Sequence, residues 1–337
     1  MVVVELNGHS CLSPTQRSVL AQLELQAYRY SSPLEVKHLQ SRSGPIGSIY
    51  MFERRVGGLG TDIHDGVAIL TPSSSLEAPL PSDTLAKAVG NRGVSTLQVL
   101  GQGLTADLES GARSKRGGSQ ETLNLSTVQE VMPLEHTYDG LLRRLGKHTR
   151  RNILQCRKWA SSNAITFHYS PSFLPFDHSG LSVLASQNMP VRKNAGELLK
   201  TIQFATSRQQ QFEASLTHPT GKPFSVAGGF IEGDLALMVY QINDRAYRTL
   251  NPSLMLRGFL IEHLIERGAR HLAFVGGCAG VLNHQCVTVP VAELLLVRKT
   301  ISAQIRHRVG AMLADTTSRL VRLAPRFIGI LALALFS

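Results

Sequence analysis

The residues best suited to chemistry lie between Glu232 and His284. Asn251-Pro252-Ser253 reads as a helix start with Asn251 or Ser253 as its cap, and such a start either closes a core helix or offers N–H groups and a positive dipole end to an anion such as a pyrophosphate. Arg248 before it and Arg257 one turn inside it add positive charge. Taking a proton from an ammonium requires a carboxylate or imidazole within reach, directly or through water. His284, in a loop after an apolar run, is the first candidate, with Tyr240 and Cys286 as further ones. Glu232 and Asp234 flank Gly233 in what reads as a hairpin turn, where acidic side chains are ordinarily solvated.

Cysteine chemistry fits the spacing poorly. Cys278 and Cys286 with one histidine, His284, lack both a CxxC knuckle and a fourth ligand, so no metal is expected. Gly276-Gly277-Cys278 has no strand-elbow-helix context for a nucleophilic thiol. Cys11, Cys156, Cys278 and Cys286 make no disulfide framework in 337 residues, the start MVVVELNGHS lacks a signal-peptide layout, and a reducing cytoplasm is the expected location. No window holds the roughly 18 apolar residues a membrane span needs; the nearest, Phe327 to Phe336, is about half that length.

The net charge of +11 is concentrated. Residues 138–158 carry seven basic and one acidic residue, and residues 299–337 carry six and one, while the long bodies between them are close to neutral. That distribution excludes a generic nucleic-acid coat, and aromatic content of 6% supplies no stacking platform for single strands. The first segment reads as one helix from Tyr138 to Ala160, with Arg143, Arg144, Lys147, His148, Arg150, Arg151, Arg157 and Lys158 on one half of the wheel and Leu142, Leu145, Ile153 and Cys156 on the other. Its basic face is either solvated or meets a polyanion through Lys147, Arg150 and Arg151. The tail, 299–337, is either a helix packed on the body or a basic, apolar-tipped segment lying on an anionic membrane surface.

These residues must be positioned by two domains or one large pseudo-duplicated one, which is what the length predicts. The first gives a helix over Thr15 to Tyr28, strands at Ile46 to Glu53, Gly66 to Leu70 and Ser95 to Leu100, a short helix at Asp83 to Val89, a Gly- and Ser-rich linker over 101–120, and a strand at Thr127 to Met132. After the basic helix come a strand at Ala164 to Tyr169, a helix within Phe176 to Gln187, and a long helix from Ala195 to Ser215. An apolar meander follows, Pro223 to Ile231, Leu235 to Ile242 and a third short strand Arg245 to Leu250. A helix buried on two faces then runs from Ser253 to a Gly268 stop, before a strand at His271 to Val275, a Gly-rich loop and a last strand at Val289 to Val297.

That order resembles the GNAT superfamily of acyl-CoA N-acyltransferases, with a loop in place of the helix usually found between the last strands. The run Leu145-Gly146-Lys147-His148-Thr149-Arg150-Arg151-Asn152 is similar to the helix opening the catalytic half of FemAB-like and CelD-type (cellulose biosynthesis) acyltransferase domains. Leu256-Arg257-Gly258-Phe259 through Arg267-Gly268 looks like the same family's long-helix signature. The resemblance implies an α+β fold, a mixed and mostly antiparallel sheet flanked by helices, in two pseudo-duplicated GNAT-like lobes. Residues 1–130 would be a degenerate first lobe, 131–298 the second, and 299–337 a basic tail. It implies an acyl-CoA co-substrate, acetyl-CoA first, held by Arg248, Asn251, Ser253, Arg257 and Gly258. It further implies a small-molecule amine acceptor on a sugar, amino acid or cell-envelope precursor, with His284 or Tyr240 as the proton-handling group. Two alternatives stay open: an aminoacyl-tRNA donor, as in FemAB-type peptidyltransferases, and a non-catalytic binding module that keeps the lobes.

Overall fold

The computed structural model describes residues 12–41, 44–56, 61–70, 94–100, 119–171, 195–275 and 280–298. In chain order its elements are α1 (Pro14–Arg29), β1 (Glu35–Ser41), β2 (Gly44–Val56), β3 (Thr61–Leu70), β4 (Val94–Leu100), β5 (Ser119–Pro133), α2 (Tyr138–Arg144), α3 (Lys147–Ser162), β6 (Thr166–Ser170), α4 (Ala195–Thr206), β7 (Gln211–Thr217), β8 (Pro223–Glu232), β9 (Leu235–Asn243), α5 (Pro252–Glu266), β10 (His271–Phe274) and β11 (Val287–Arg298). The anticipated helices at 83–89 and within 176–187, almost all of the 101–120 linker, Cys278 and the 299–337 tail lie outside the described residues.

The chain divides into two compact units: Met1–Glu35 with Leu125–Val291, and Val36–Asn124 with Ala292–Ser337. This differs from the linear division at residue 130, because α1 is docked in the first unit. Its start explains its stability: Ser13 and Gln16 form a reciprocal capping box ahead of Pro14. Arg17 then donates to Asp234 Oδ1 at 2.6 Å and to the Glu232 carbonyl at 2.7 Å, so the turn between β8 and β9 is held by α1.

In the first unit the strands run in the order β5, β10, β9, β8, β7, β6, and in the second β1, β2, β3, β4, β11. Pairing is mostly antiparallel. Each unit contains one parallel pair, β9 with β10 and β3 with β4, set between antiparallel neighbours. Strand β1 had no counterpart in the sequence reading.

The first unit has a core on each face of its sheet. On one face α5 buries Leu254, Met255, Leu256, Leu260, Ile261 and Leu264 against Phe212, Phe224, Met238, Leu272 and Phe274, with α2 and α3 packed outside it. At about 1.5–3 kcal/mol per buried side chain this helix anchors the unit. On the other face α1 and α4 cover Val226, Phe230, Leu237, Tyr240 and Ala273.

Three expectations are corrected. The Ala195 to Ser215 helix stops at Thr206: Ser207 Oγ donates to the Phe204 carbonyl, and Gln211–Thr217 becomes strand β7, set between β6 and β8 and buried on both faces. Sheet burial there overrides the helix propensity of Gln, Glu and Ala. Arg245–Leu250 is a 3-10 turn rather than a strand, because the Asp244 side chain accepts from Ala246 N at 2.9 Å and caps it. The basic helix is two helices, broken where Leu145 and Gly146 are both extended; Arg157, expected on its solvated face, pairs instead with Glu262 at 2.6 Å and lies over the rings of Tyr138 and Phe259.

Candidate active site

The site begins with two glycines. Gly228 and Gly229 sit mid-strand in β8, and between them the register with β9 shifts: Gly228 pairs with Tyr240 but Gly229 with Met238, leaving Val239 as an extra residue. A side chain is excluded at both positions. A Cβ on Gly229 would stand 1.8 Å from the Leu237 carbonyl oxygen, and one on Gly228 would stand 2.5 Å from the Tyr240 ring. Such a bulge bends its strand and re-aims its side chains.

The bend falls where the described ladder of β9 with β10 ends. The parallel ladder of β9 and β10 has four pairs, the last being Phe274 with Met238, and Val275 N donates to the Met238 carbonyl at 3.0 Å. Beyond it β9 continues through Val239 to Asn243. The described pairs thus end at the bulge, and α5 starts soon after the end of β9.

A polar network ties that helix start to the C-terminal end of β9. Gln241 Oε1 accepts from Arg257 Nε at 2.8 Å and from Ser253 Oγ at 3.2 Å, while its Nε2 donates to the Ser253 carbonyl at 3.2 Å. Asn243 Oδ1 accepts from Ser225 Oγ at 2.7 Å. The Arg257 guanidinium also lies 4.9 Å from the ring of Phe274, the last residue of β10. One cation therefore reaches both strand ends.

Asn251 adopts a left-handed conformation (φ 50, ψ 58), which asparagine tolerates better than most residues, and its Oδ1 accepts from Leu254 N at 3.4 Å. Pro252 has no N–H to offer, and Met255 N donates to the Asn251 carbonyl. That leaves the Ser253 N–H without a partner among the described residues, at the positive end of a 15-residue helix. One backbone donor, one hydroxyl and one guanidinium converge at the start of α5 beside Gln241 of β9, a set suited to phosphate or carbonyl oxygens.

The opposite face carries a buried acid. Glu213 on β7 is 3% exposed and accepts from the Tyr240 hydroxyl at 2.6 Å on Oε2. Desolvation pushes its carboxyl up to about 7, the tyrosine hydrogen bond opposing that rise, and burial raises the Tyr240 phenol well above its ordinary value. Tyr240 reaches over Gly228 toward β7, on the α1 and α4 side of the sheet.

Of the residues read from sequence, Asn251, Ser253 and Arg257 are brought together. Arg248 is exposed on the 3-10 turn and His284 is exposed on a short turn, Asn283–Gln285. Gly258 is buried against Ile153 of α3, where a Cβ would approach to 3.2 Å, so it serves helix packing. Lys147 and Arg151 are exposed and Arg150 half-exposed in the opening turns of α3, whose Gly146 cap makes no side-chain hydrogen bond. Cys286 is buried, its thiol directed at the Leu282 carbonyl. Gln241 and Glu213, the centres of the two networks, were missed. The Gly228-Gly229 pair in an apolar strand was the available signal for the bulge. Among the described residues no three His, Cys, Asp or Glu side chains gather as metal ligands, and no helix is long and apolar enough to cross a membrane.

Residues 196–280, which contain both polar networks, match the family profile described as Acetyltransferase (GNAT) domain. No curated protein sequence matches the chain. Among solved structures it is similar to one described as the crystal structure of FemX, at 10% identity over 83% of this chain and 96% of that one, with a TM-score of 0.54. It is also similar to a conserved protein of unknown function from Bacteroides thetaiotaomicron VPI-5482, at 12% identity over 83% and 90% of the two chains, with a TM-score of 0.52. At these identities the likeness is one of fold. The fold is GNAT-like, with mixed, mostly antiparallel sheets flanked by helices.

Proposed function

We propose that this protein is an N-acyltransferase of FemAB-like type that moves an acyl group from acyl-CoA to an amine of a sugar, amino acid or cell-envelope precursor. The observation that carries the reading is that β9 is bulged at Val239, where its described pairs with β10 end, and that Gln241 beyond the bulge is tied to Ser253 and Arg257 at the start of α5, inside the stretch matched by the GNAT profile. A thioester lying along β9 beyond the bulge would meet backbone donors, and its pyrophosphate would meet the helix start and the guanidinium. Transfer to an amine then needs alignment and a neutral nucleophile rather than covalent help from the protein.

The test is a thermal-shift series with acetyl-CoA, longer acyl-CoAs and free CoA. Binding to the folded state alone raises the melting temperature, by an amount that grows with the logarithm of ligand concentration. A rise with free CoA and a larger one with a particular acyl-CoA supports the reading. No shift across the series contradicts it.

A second reading keeps the chemistry and makes the donor an aminoacyl-tRNA. It is favoured by Lys147, Arg150 and Arg151 crowding the positive end of α3 with no acidic residue in its first turn, an arrangement that a polyanion would relieve. Binding of tRNA that weakens steeply with salt, and whose salt slope falls by about one for each of Arg150→Ala and Arg151→Ala, supports this donor. In either case residues 299–337 would bring the enzyme to an anionic membrane surface, as their six basic residues and apolar end suggest.

A further inference from the structure

One side of α3 is fixed against its neighbours. Ile153 meets Gly258 of α5, Ala160 is buried, Arg157 pairs with Glu262, and the Cys156 thiol is directed at the Leu250 carbonyl. Lys147, Arg151, Leu154 and Lys158 stand on the other side, and all four are exposed. Their spacing of four, three and four residues brings them within about 60° of one another around the helix axis and strings them along about 16 Å of its length.

The fold accounts for neither the charges nor the leucine of this stripe. A solvated helix face gains from acids set four residues from its bases, but α3 carries five Lys and Arg and no Asp or Glu in 16 residues. Of the five, only Arg157 has an ion-pair partner among the described residues, and Lys147 and Arg151, four apart, repel each other. The acids of the packed helices α2 and α5 are placed elsewhere: Asp139 lies in the first turn of α2, where the helix dipole favours it, Glu262 holds Arg157, and Glu266 lies 4.0 Å from His263. Leu154 is 48% exposed amid the cations, while the core takes Ile153 beside it, at 2%.

We propose that this stripe is a docking surface for an anionic lipid bilayer, with Lys147, Arg151 and Lys158 set against headgroup phosphates and Leu154 inserted between them. The proposal goes beyond the acyl-transfer reading and stands without it. A straight row of cations matches a charged plane, and the long stems of Lys and Arg lie along the interface while their heads reach phosphate. Arg150, half-exposed beside the stripe, adds charge at its edge.

The leucine decides between lipid and RNA. An apolar side chain at the centre of the contact gains from the acyl boundary of a bilayer and gains nothing from a phosphate backbone. The stripe also has no aromatic ring on which a base could stack.

The experiment is co-sedimentation of the full chain with vesicles of phosphatidylcholine containing about 30% phosphatidylglycerol, at low and at physiological salt. Residues 299–337 are common to every variant, so differences between variants report α3. Removing the three stripe cations together, as K147Q with R151Q and K158Q, should weaken partitioning about a hundredfold at low salt, or roughly fivefold for each. Removing the same charge from exposed turns, as K222Q with R245Q and R248Q, should cost under about fivefold. L154S should cost about fivefold at both salt concentrations, because burial of an apolar side chain is not screened. The four stripe positions are exposed, and unchanged melting temperatures verify that the variants are folded; L154S carries the test should the triple variant not fold. Three results overturn the proposal: a native protein that stays in solution, equal losses from the stripe and the turns, or an L154S variant that partitions like the native protein. Loss of tRNA binding in the stripe variant with its vesicle partitioning unchanged would also overturn it and give this face to RNA.

Discussion

The hydroxyl of Tyr240 donates to the carboxyl of Glu213 at 2.6 Å across a strand that has no side chain at the crossing point. Gly228 makes the meeting possible, since a Cβ there would fall 2.5 Å from the tyrosine ring. Gly228→Ala is expected to displace Tyr240 and destabilise the protein by about 1–3 kcal/mol, the usual cost of overpacking. Urea denaturation monitored by circular dichroism measures it, and a change under about 0.5 kcal/mol contradicts the packing described.

Glu213 also sets a pH dependence of stability. Its folded carboxyl titrates near 7 against an ordinary value of 4.5, so the folded state holds the proton more tightly than the unfolded chain. The associated stabilisation is full below about 4.5 and is lost as pH rises through about 7. E213Q cannot titrate, so relative to the native protein it should gain stability between pH 5 and pH 8, by an amount on the order of 2–3 kcal/mol. Denaturation midpoints for both proteins across that range decide it. A difference constant with pH contradicts the assignment.

The bulge re-aims β9 where its described pairs with β10 end, and Gly229 is its weak point. A Cβ at Gly229 would lie 1.8 Å from a backbone oxygen, which cannot swing aside as a side chain does. Gly229→Ala is expected to cost about 3 kcal/mol or more and to abolish acetyl-CoA binding even at temperatures where the variant remains folded. Calorimetric titration below the melting temperature separates the two effects, and retained affinity would show that donor binding does not depend on this bulge.

The sequence was most legible where local chemistry and tertiary context agree. Ser13-Pro14 and Asn251-Pro252 mark helix starts through caps that act within four residues, and Gly268, at φ 89, stops α5 as its position predicts. The meander showed in the turn Glu232-Gly233-Asp234. The failures are non-local. Gln211–Thr217 carries helix-forming residues but is surrounded by strands on both sides, so Glu213 was hidden inside a supposed helix. Asn243-Asp244 looked like a hairpin turn, whereas Asp244 caps a 3-10 turn that feeds α5. At the site, Asn251, Ser253 and Arg257 were readable from the helix they share. Gln241 was not, since nothing local shows that it will meet Arg257 sixteen residues later.

Arg257 is expected to matter for the donor rather than for the fold. Its Nε holds Gln241 and its plane lies against Phe274, so it spans both strand ends. Arg257→Ala should weaken acetyl-CoA binding about tenfold, equivalent to about 1.4 kcal/mol, and Arg257→Lys should recover only part, because a point charge lacks the planar fork. Calorimetry with free CoA reads the same loss if the contact is to phosphate.

The most direct test of the whole account is an amide NMR titration with acetyl-CoA. Saturable shifts should concentrate at residues 238–243, Ser253 and the Arg257 Nε–H, where β9 runs past its described pairs with β10 and meets the start of α5. Saturation that leaves those resonances in place, with shifts confined to other parts of the chain, would contradict the account.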